Sequence, residues 1–272
     1  MLKLTMQVTL SGFSTIVITG ISLVLGVNPS QSLTFTQVNT PIAIDFAGFT
    51  GAGFSPTPGA GQLSSNDWAI TGLSDGTLDF GDTQTMGDFA RGTSSGGVGF
   101  GGIYAFDVGG GNIALGIQPS AMDFTPGTLI LRLTNGTGVT VTDLDIGYII
   151  YNNNDENRSN SFNFSYSLDN SSYVSIPALN YTSPEAAGVA TWVANPRSTT
   201  LTGLTLAPGS NIYLRWNGAD VSGSGARDEF ALDDIAITPL GPVVAVPYEF
   251  ETGFGVVVVG GLLMFRRWKK RH

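Results

Sequence analysis

The residues best equipped for chemistry are carboxylates gathered late in the chain, Asp220 and then Asp228-Glu229-Phe230-Ala231-Leu232-Asp233-Asp234-Ile235. Phe230 and Leu232 put apolar side chains on even positions, whereas Ile235 and Ile237 put them on odd ones. The register therefore flips at Asp233–Asp234, which predicts one extra residue there, a β-bulge that re-aims a side chain. A hard cation such as Ca²⁺ takes six to eight oxygens, mainly from carboxylates and carbonyls. Asp45, Asp228, Asp233 and Asp234 are the candidate ligands, with backbone carbonyls completing the shell. Otherwise one Asp caps a turn or pairs with Arg215 or Arg227 while its neighbour stays solvated. A second acidic loop, Asn152–Asn157, lacks the closing Gly and Glu of an EF-hand.

Two carboxylates can also hydrolyse a glycosidic bond without any histidine. The candidate Glu residues are Glu156, Glu185 and Glu229, and acids in these loops read as exposed, with nothing to raise a pKa. A carboxylate-based glycoside hydrolase is thus the lesser alternative, and the chain reads as non-catalytic. Sugar binding asks less: aromatic faces and a few amides are sufficient. The rings on offer are Trp68, Trp192, Trp216, Tyr148, Tyr151 and Tyr173. Trp216 alternates with apolar neighbours and belongs to a core. Trp192, beside Thr191 and the loop-like Asn195-Pro196, is the candidate ligand-binding ring.

Other chemistries are excluded by composition. The chain has no Cys, and its single His is the last residue, His272. Thiolate nucleophiles, zinc–thiolate sites and His-based acid–base work drop out. Residues 33–246 hold six Arg, no Lys and nineteen acids, a charge of −13. Nucleic acid is accordingly not an expected partner, because its phosphates would be repelled. The run Gly96–Gly102 lacks the Lys-Ser/Thr and following helix of a phosphate loop.

The elements that must position these residues are strands. The 37 glycines of 272 residues are about twice the usual share and imply many tight turns. Ile212, Leu214 and Trp216 alternate with Tyr213 and Arg215, and Phe162, Phe164 and Tyr166 with Asn163 and Ser165. That period of two gives each strand one dry face. Further strands are expected around Ile42–Phe46, Trp68–Ile70, Gly102–Val108, Asn112–Gln118, Thr128–Leu133, Asp143–Tyr151, Tyr173–Ile176, Arg197–Leu206 and Phe230–Thr238. The turn at Leu168–Ser172 should make a hairpin. Residues 46–102 read as long loops over one edge. The predicted fold is all-β, an antiparallel two-sheet jelly-roll sandwich over 33–238, with a linker at 239–246 and a helix at each end of the chain.

Those ends read as addresses. Residues 1–32 have a single n-region charge, Lys3, an apolar stretch over Phe13–Val27, Pro29, and small Ser30 and Ser32 before a cleavage point. This is the pattern of a secretory signal peptide, cut by signal peptidase. Residues 247–272 join Pro247-Tyr248-Glu249-Phe250 to the apolar Thr252–Phe265 and the basic Arg266–Arg271. Fourteen apolar residues make a helix of about 21 Å, short for a hydrocarbon core of about 30 Å unless Tyr248 and Phe250 anchor in the interface. The basic cluster should stay cytoplasmic.

This tripartite end resembles the PEP-CTERM sorting signal in its cyanobacterial Pro-Phe-Glu-Phe form, with Tyr248 for the first Phe. The resemblance implies an exosortase-type membrane protease as processing partner, cutting near Pro247–Phe250. Residues 118–238 are similar to a jelly-roll module of exported bacterial proteins, through Gln118-Pro119, Asp123–Gly127, Leu214-Arg215-Trp216 and Leu232-Asp233-Asp234-Ile235. Together they imply an exported, membrane-anchored and then cell-surface or matrix protein. Its expected role is to bind or build extracellular polysaccharide, with a calcium-dependent lectin-like module as the alternative.

Overall fold

The computed structural model describes residues 33–241. The expected signal helix, the sorting motif Pro247–Phe250, the apolar tail and most of the linker lie outside the described residues. Strands of three residues or more are β1 (Ile42–Ile44), β2 (Trp68–Leu73), β3 (Gly76–Leu78), β4 (Gly102–Asp107), β5 (Ile113–Gln118), β6 (Gly127–Asn135), β7 (Asp143–Asn153), β8 (Arg158–Ser167), β9 (Trp192–Leu201), β10 (Asn211–Gly223) and β11 (Glu229–Leu240). The last two run well beyond their apolar cores, β10 to Gly223 and β11 to Leu240.

Two sheets result. One runs β8-β10-β6-β2-β3, with Val174–Ser175 beyond β8; the other runs β9-β7-β11-β5-β4, with Thr93–Ser94 beyond β4 and β1 beside β11. From β6 to β11 every successive strand changes sheet. The inward halves of both sheets then meet face to face, as a sandwich core requires. Long pairings are antiparallel, as predicted. Three pairings of two-residue strands are parallel, Thr34–Phe35 on β6, Phe54–Ser55 on Leu63–Ser64, and Thr93–Ser94 on β4. The hairpin at Leu168–Ser172 forms, with Tyr166 opposite Val174.

The alternating residues fill the interior. Phe162, Phe164, Ile212, Leu214 and Trp216 are all at most 1 % exposed. Trp216 lies 6.4 Å from Trp68 and meets Tyr148 and Phe164 edge-on. Burial of each large side chain contributes about 1.5–3 kcal/mol, so this stack anchors the two sheets. Residues 46–102 are more than loops: Phe49, Phe54 and Phe89 are buried against the same core and close its edge.

The bulge occurs where the parity flips. Gly147 opposes Ala236 but Ile149 opposes Asp233, so β11 carries one extra residue. Asp234 sits there with φ +49°, exposed, while Asp233 and Ile235 on either side are buried. Among the described residues no helix is long and apolar enough to cross a membrane.

Candidate functional site: an acidic cleft at one end of the outer face of the second sheet

On β11 the odd residues Glu229, Ala231 and Asp233 precede the bulge and face away from the core, opposite Phe230 and Leu232. Their neighbours are set by register: Asn153 opposite Glu229, Tyr151 opposite Ala231, and Trp192 opposite Asn153 on β9. On the other side Ala231 faces Gly116, and Gly116 faces Tyr104. This outer face is covered rather than wet. Tyr104, Phe106, Ala114 and Ala231 form a second apolar cluster, joined by Val98, Val108, Tyr151 and Trp192. The rings of Tyr104 and Phe106 stack at 5.1 Å, and Trp192 tilts against Phe106 at 5.0 Å. Glycine at 116 is what lets Phe106 lie down, since a Cβ there would fall 2.0 Å from the ring.

At the Glu229 end the cover stops at a cleft of about 310 Å³. Its walls are Gly97–Gly99, Gln118–Ala121, Asp155, Glu156, Ala226, Arg227 and Glu229. Glu229 is 1 % exposed. Its Oε1 accepts the Val98 N–H at 2.8 Å, and its Oε2 has no partner. Gln118 is also buried, and its amide donates to the carbonyls of Pro119 and Arg227, both at 2.9 Å. That fixes the amide's orientation and leaves Oε1 unpartnered. Asn153 Oδ1, next to Glu229 in register, is unpartnered as well. A buried acceptor without a donor costs about 1–3 kcal/mol, and three of them lie at or beside the cleft wall.

The electrostatics agree. Burial pushes the Glu229 carboxyl up to about 7, with Asp155 adding repulsion and the Val98 and Gly97 N–H groups pulling it partly back. Arg227 does not relieve it: its guanidinium is held bidentate by Asp220 at 2.8 and 2.6 Å, with Arg158 on the same carboxylate at 2.6 Å. The acids at 228, 229 and 233 are therefore buried with raised pKa values, contrary to the exposure read from sequence.

The four candidate metal ligands do not converge. Asp228 points to the opposite face from Glu229, takes the Glu156 N–H on Oδ1 at 3.0 Å, and is raised to about 6 by burial. Asp233 lies five residues along β11, roughly 16 Å away at ~3.3 Å per residue. Both its oxygens are engaged, Oδ2 by the Asn112 amide at 2.9 Å and Oδ1 by the Asp234 N–H at 2.8 Å. Burial raises it to about 6. Asp234 and Asp45 are exposed, and Asp45 Oδ1 takes the Ala47 N–H. Among the described residues no group of three acids or histidines is placed to hold a metal ion. Arg215, the other pairing partner considered, stacks on Tyr173 at 3.5 Å instead.

Trp192 is near the site but differs from its expected setting. It begins an edge strand, and Asn195-Pro196 continue that strand rather than forming a loop. It is half-buried, and its indole N–H donates to the Ser95 carbonyl at 2.8 Å. Gly96, at φ +106°, fits between it and Asn153, where a Cβ would meet the amide at 2.8 Å. Sequence reasoning missed Gln118 and Asn153 as site residues, named Glu229 but set it aside as exposed, and missed Phe100, which is 75 % exposed on the loop beside the cleft.

No family model and no curated protein matches this chain. Its fold is distantly similar to several solved carbohydrate-binding modules. The xylan-binding module CBM15 is 11 % identical, with 74 % of this chain and 97 % of that one covered and a TM-score of 0.36. CBM28, specific for non-crystalline cellulose, is 15 % identical over 49 % of this chain and 78 % of that one, at 0.35. The C-terminal family 22 module of Clostridium thermocellum Xyn10B is 12 % identical over 52 % and 82 %, at 0.30.

Proposed function

We propose that this β-sandwich binds a neutral, hydroxyl-rich polysaccharide through the Glu229 cleft, and that the chain is exported to bind or build an extracellular polysaccharide layer. The observation that carries the binding reading is the set of buried oxygens without donors on residues of the cleft wall, Glu229 Oε2 and Gln118 Oε1, with Asn153 Oδ1 alongside. Sugar hydroxyls supply such donors, and a charge-assisted bond to a carboxylate is about twice as strong as a neutral one. Asp155 and Glu156 on the same walls disfavour uronates, sulfated glycans and phosphates. Phe100 offers an exposed ring for a pyranose face.

Export rests on the sequence pattern of residues 1–32, and anchoring with exosortase-type processing on residues 247–272. Affinity electrophoresis through gels cast with glucan, xylan or galactan tests the binding reading. Retardation of the wild-type body that is lost in Gln118→Leu and Glu229→Leu is the expected result. Equal mobility in all gels, or retardation by chitosan alone, would overturn it. Mass spectrometry of the termini from native cells tests the addresses, with intact residues 1 and 272 the adverse outcome.

A further inference from the structure

The loop at Ser95–Gly101 is fastened to the outer face of the second sheet by three side chains. The Trp192 N–H donates to Ser95 C=O at 2.8 Å, Glu229 Oε1 accepts the Val98 N–H at 2.8 Å, and the Tyr104 hydroxyl donates to Phe100 C=O at 2.9 Å. The Val98 side chain rests on the cluster of Tyr104, Phe106 and Trp192. Two ring-borne donors, one carboxylate and an apolar floor are thus occupied by backbone and one small side chain. Hydroxyls and a pyranose face would use the same groups.

Four of its seven residues are glycine and Phe100 is mostly exposed; its further ties are the Arg91 Nε–H to Gly101 C=O at 2.9 Å, the Gly96 N–H to Ser94 Oγ at 3.2 Å, and the Arg91 guanidinium 5.9 Å from the Phe100 ring centre. A segment with so few buried apolar contacts opens at low cost. Replacing its three bonds by three to a ligand is close to an even exchange. Beneath it the rings of Trp192, Phe106 and Tyr104 form a row, with centroid spacings of 5.0 and 5.1 Å and Phe106 lying over Gly116.

We propose that residues 95–101 are an intramolecular stand-in for ligand, covering a glycan trough that continues the cleft from Glu229 past Trp192 to Tyr104, and that a bound pyranose chain displaces them. This rests on the carbohydrate reading of the cleft and extends it to a longer, normally covered site.

Hydrogen exchange read by mass spectrometry on the wild-type body decides between lid and fixed roof. With saturating cellohexaose or xylohexaose, the amides of residues 95–101 should exchange about tenfold faster, because ligand selects the open state. Slower or unchanged exchange with ligand bound would overturn the proposal while leaving cleft binding intact. Val98→Asp at pH 8 sets a second carboxylate against Glu229 and should free the loop. Its affinity for the same hexasaccharides should rise about tenfold as the cost of opening is removed. A freed loop with unchanged or weaker affinity would also overturn it. Failure of both proteins to bind either sugar would instead sink the carbohydrate reading itself.

Discussion

The start of β11 and the bulge within it hold buried carboxylates in opposite conditions. At Asp233 both oxygens are matched, by the Asn112 amide and the Asp234 N–H. At Glu229, on the wall of the cleft, one oxygen is matched by Val98 and the other is buried without a partner. Burial raises both groups, to about 6 and about 7. Equal burial and equal charge therefore do not make equal sites. The matched acid is tied into a bulge, and the unmatched one keeps an unused acceptor.

Four measurements sharpen or break that contrast. The largest effect should come from Asp233→Leu, which leaves the Asp234 N–H at the bulge without its partner, while the exposed Asn112 amide turns to water. At about 1–3 kcal/mol for the orphaned group, a loss of about 2 kcal/mol is expected. Calorimetry should show the melting temperature fall by roughly 6 °C, at ~2–4 °C per kcal/mol. An unchanged midpoint would mean Asp233 clamps nothing. Next, Glu229→Gln removes a charge-assisted acceptor, and saccharide affinity should drop about tenfold. The same variant should melt a few degrees higher than wild type at pH 8, since it no longer ionises a buried acid; binding and stability move in opposite directions.

The third is pH itself. Asp228, Glu229 and Asp233 titrate near pH 4 when unfolded but near 6–7 when folded. Between those values the folded protein keeps protons that the unfolded chain has lost. Their contribution is complete below about pH 4 and is lost as pH rises through 6–7. Asp169, lowered by the Ser172 and Ser171 N–H groups, acts in the opposite sense, as does Asp220, where burial is outweighed by Arg227 and Arg158. Their contribution is lost as pH falls below about 4. Melting temperature should thus peak near pH 4–5 and decline towards pH 8, with a shallower decline in Glu229→Gln. The smallest expected effect is calcium. With Asp233 fully engaged, millimolar Ca²⁺ against chelator should leave the midpoint within about 1 °C, whereas a ligand of the folded state would raise it.

What the sequence could tell depended on how local the cause was. Strands at 162–166 and 212–216 were legible because each states its buried face by alternation, and the bulge because the parity flips within one element. The fate of the acids was not legible. Glu229 is buried by Val98, 131 residues earlier, and no local pattern announces such a cover. Asp228 and Asp233 look like one cluster in sequence, yet odd spacing on a pleated strand sends them to opposite faces. Pro196 suggested a loop at Trp192, but β9 is an edge strand, where a missing N–H leaves no ladder bond broken.

β11 starts at the cleft and ends at Leu240, eleven residues later, so if the proposed glycan is captured there and the chain is tethered as proposed through its carboxy-terminal segment, the strand lies between the two. Tension between the two would run along the strand axis. β7 is hydrogen-bonded beside it from Glu229 to Leu240, β5 grips Phe230–Leu232, and β1 grips Ile235–Ile237. Pulled this way, the bonds are loaded in shear and must fail together instead of peeling one at a time. A body dragged by flowing water would carry the force on its best-supported strand.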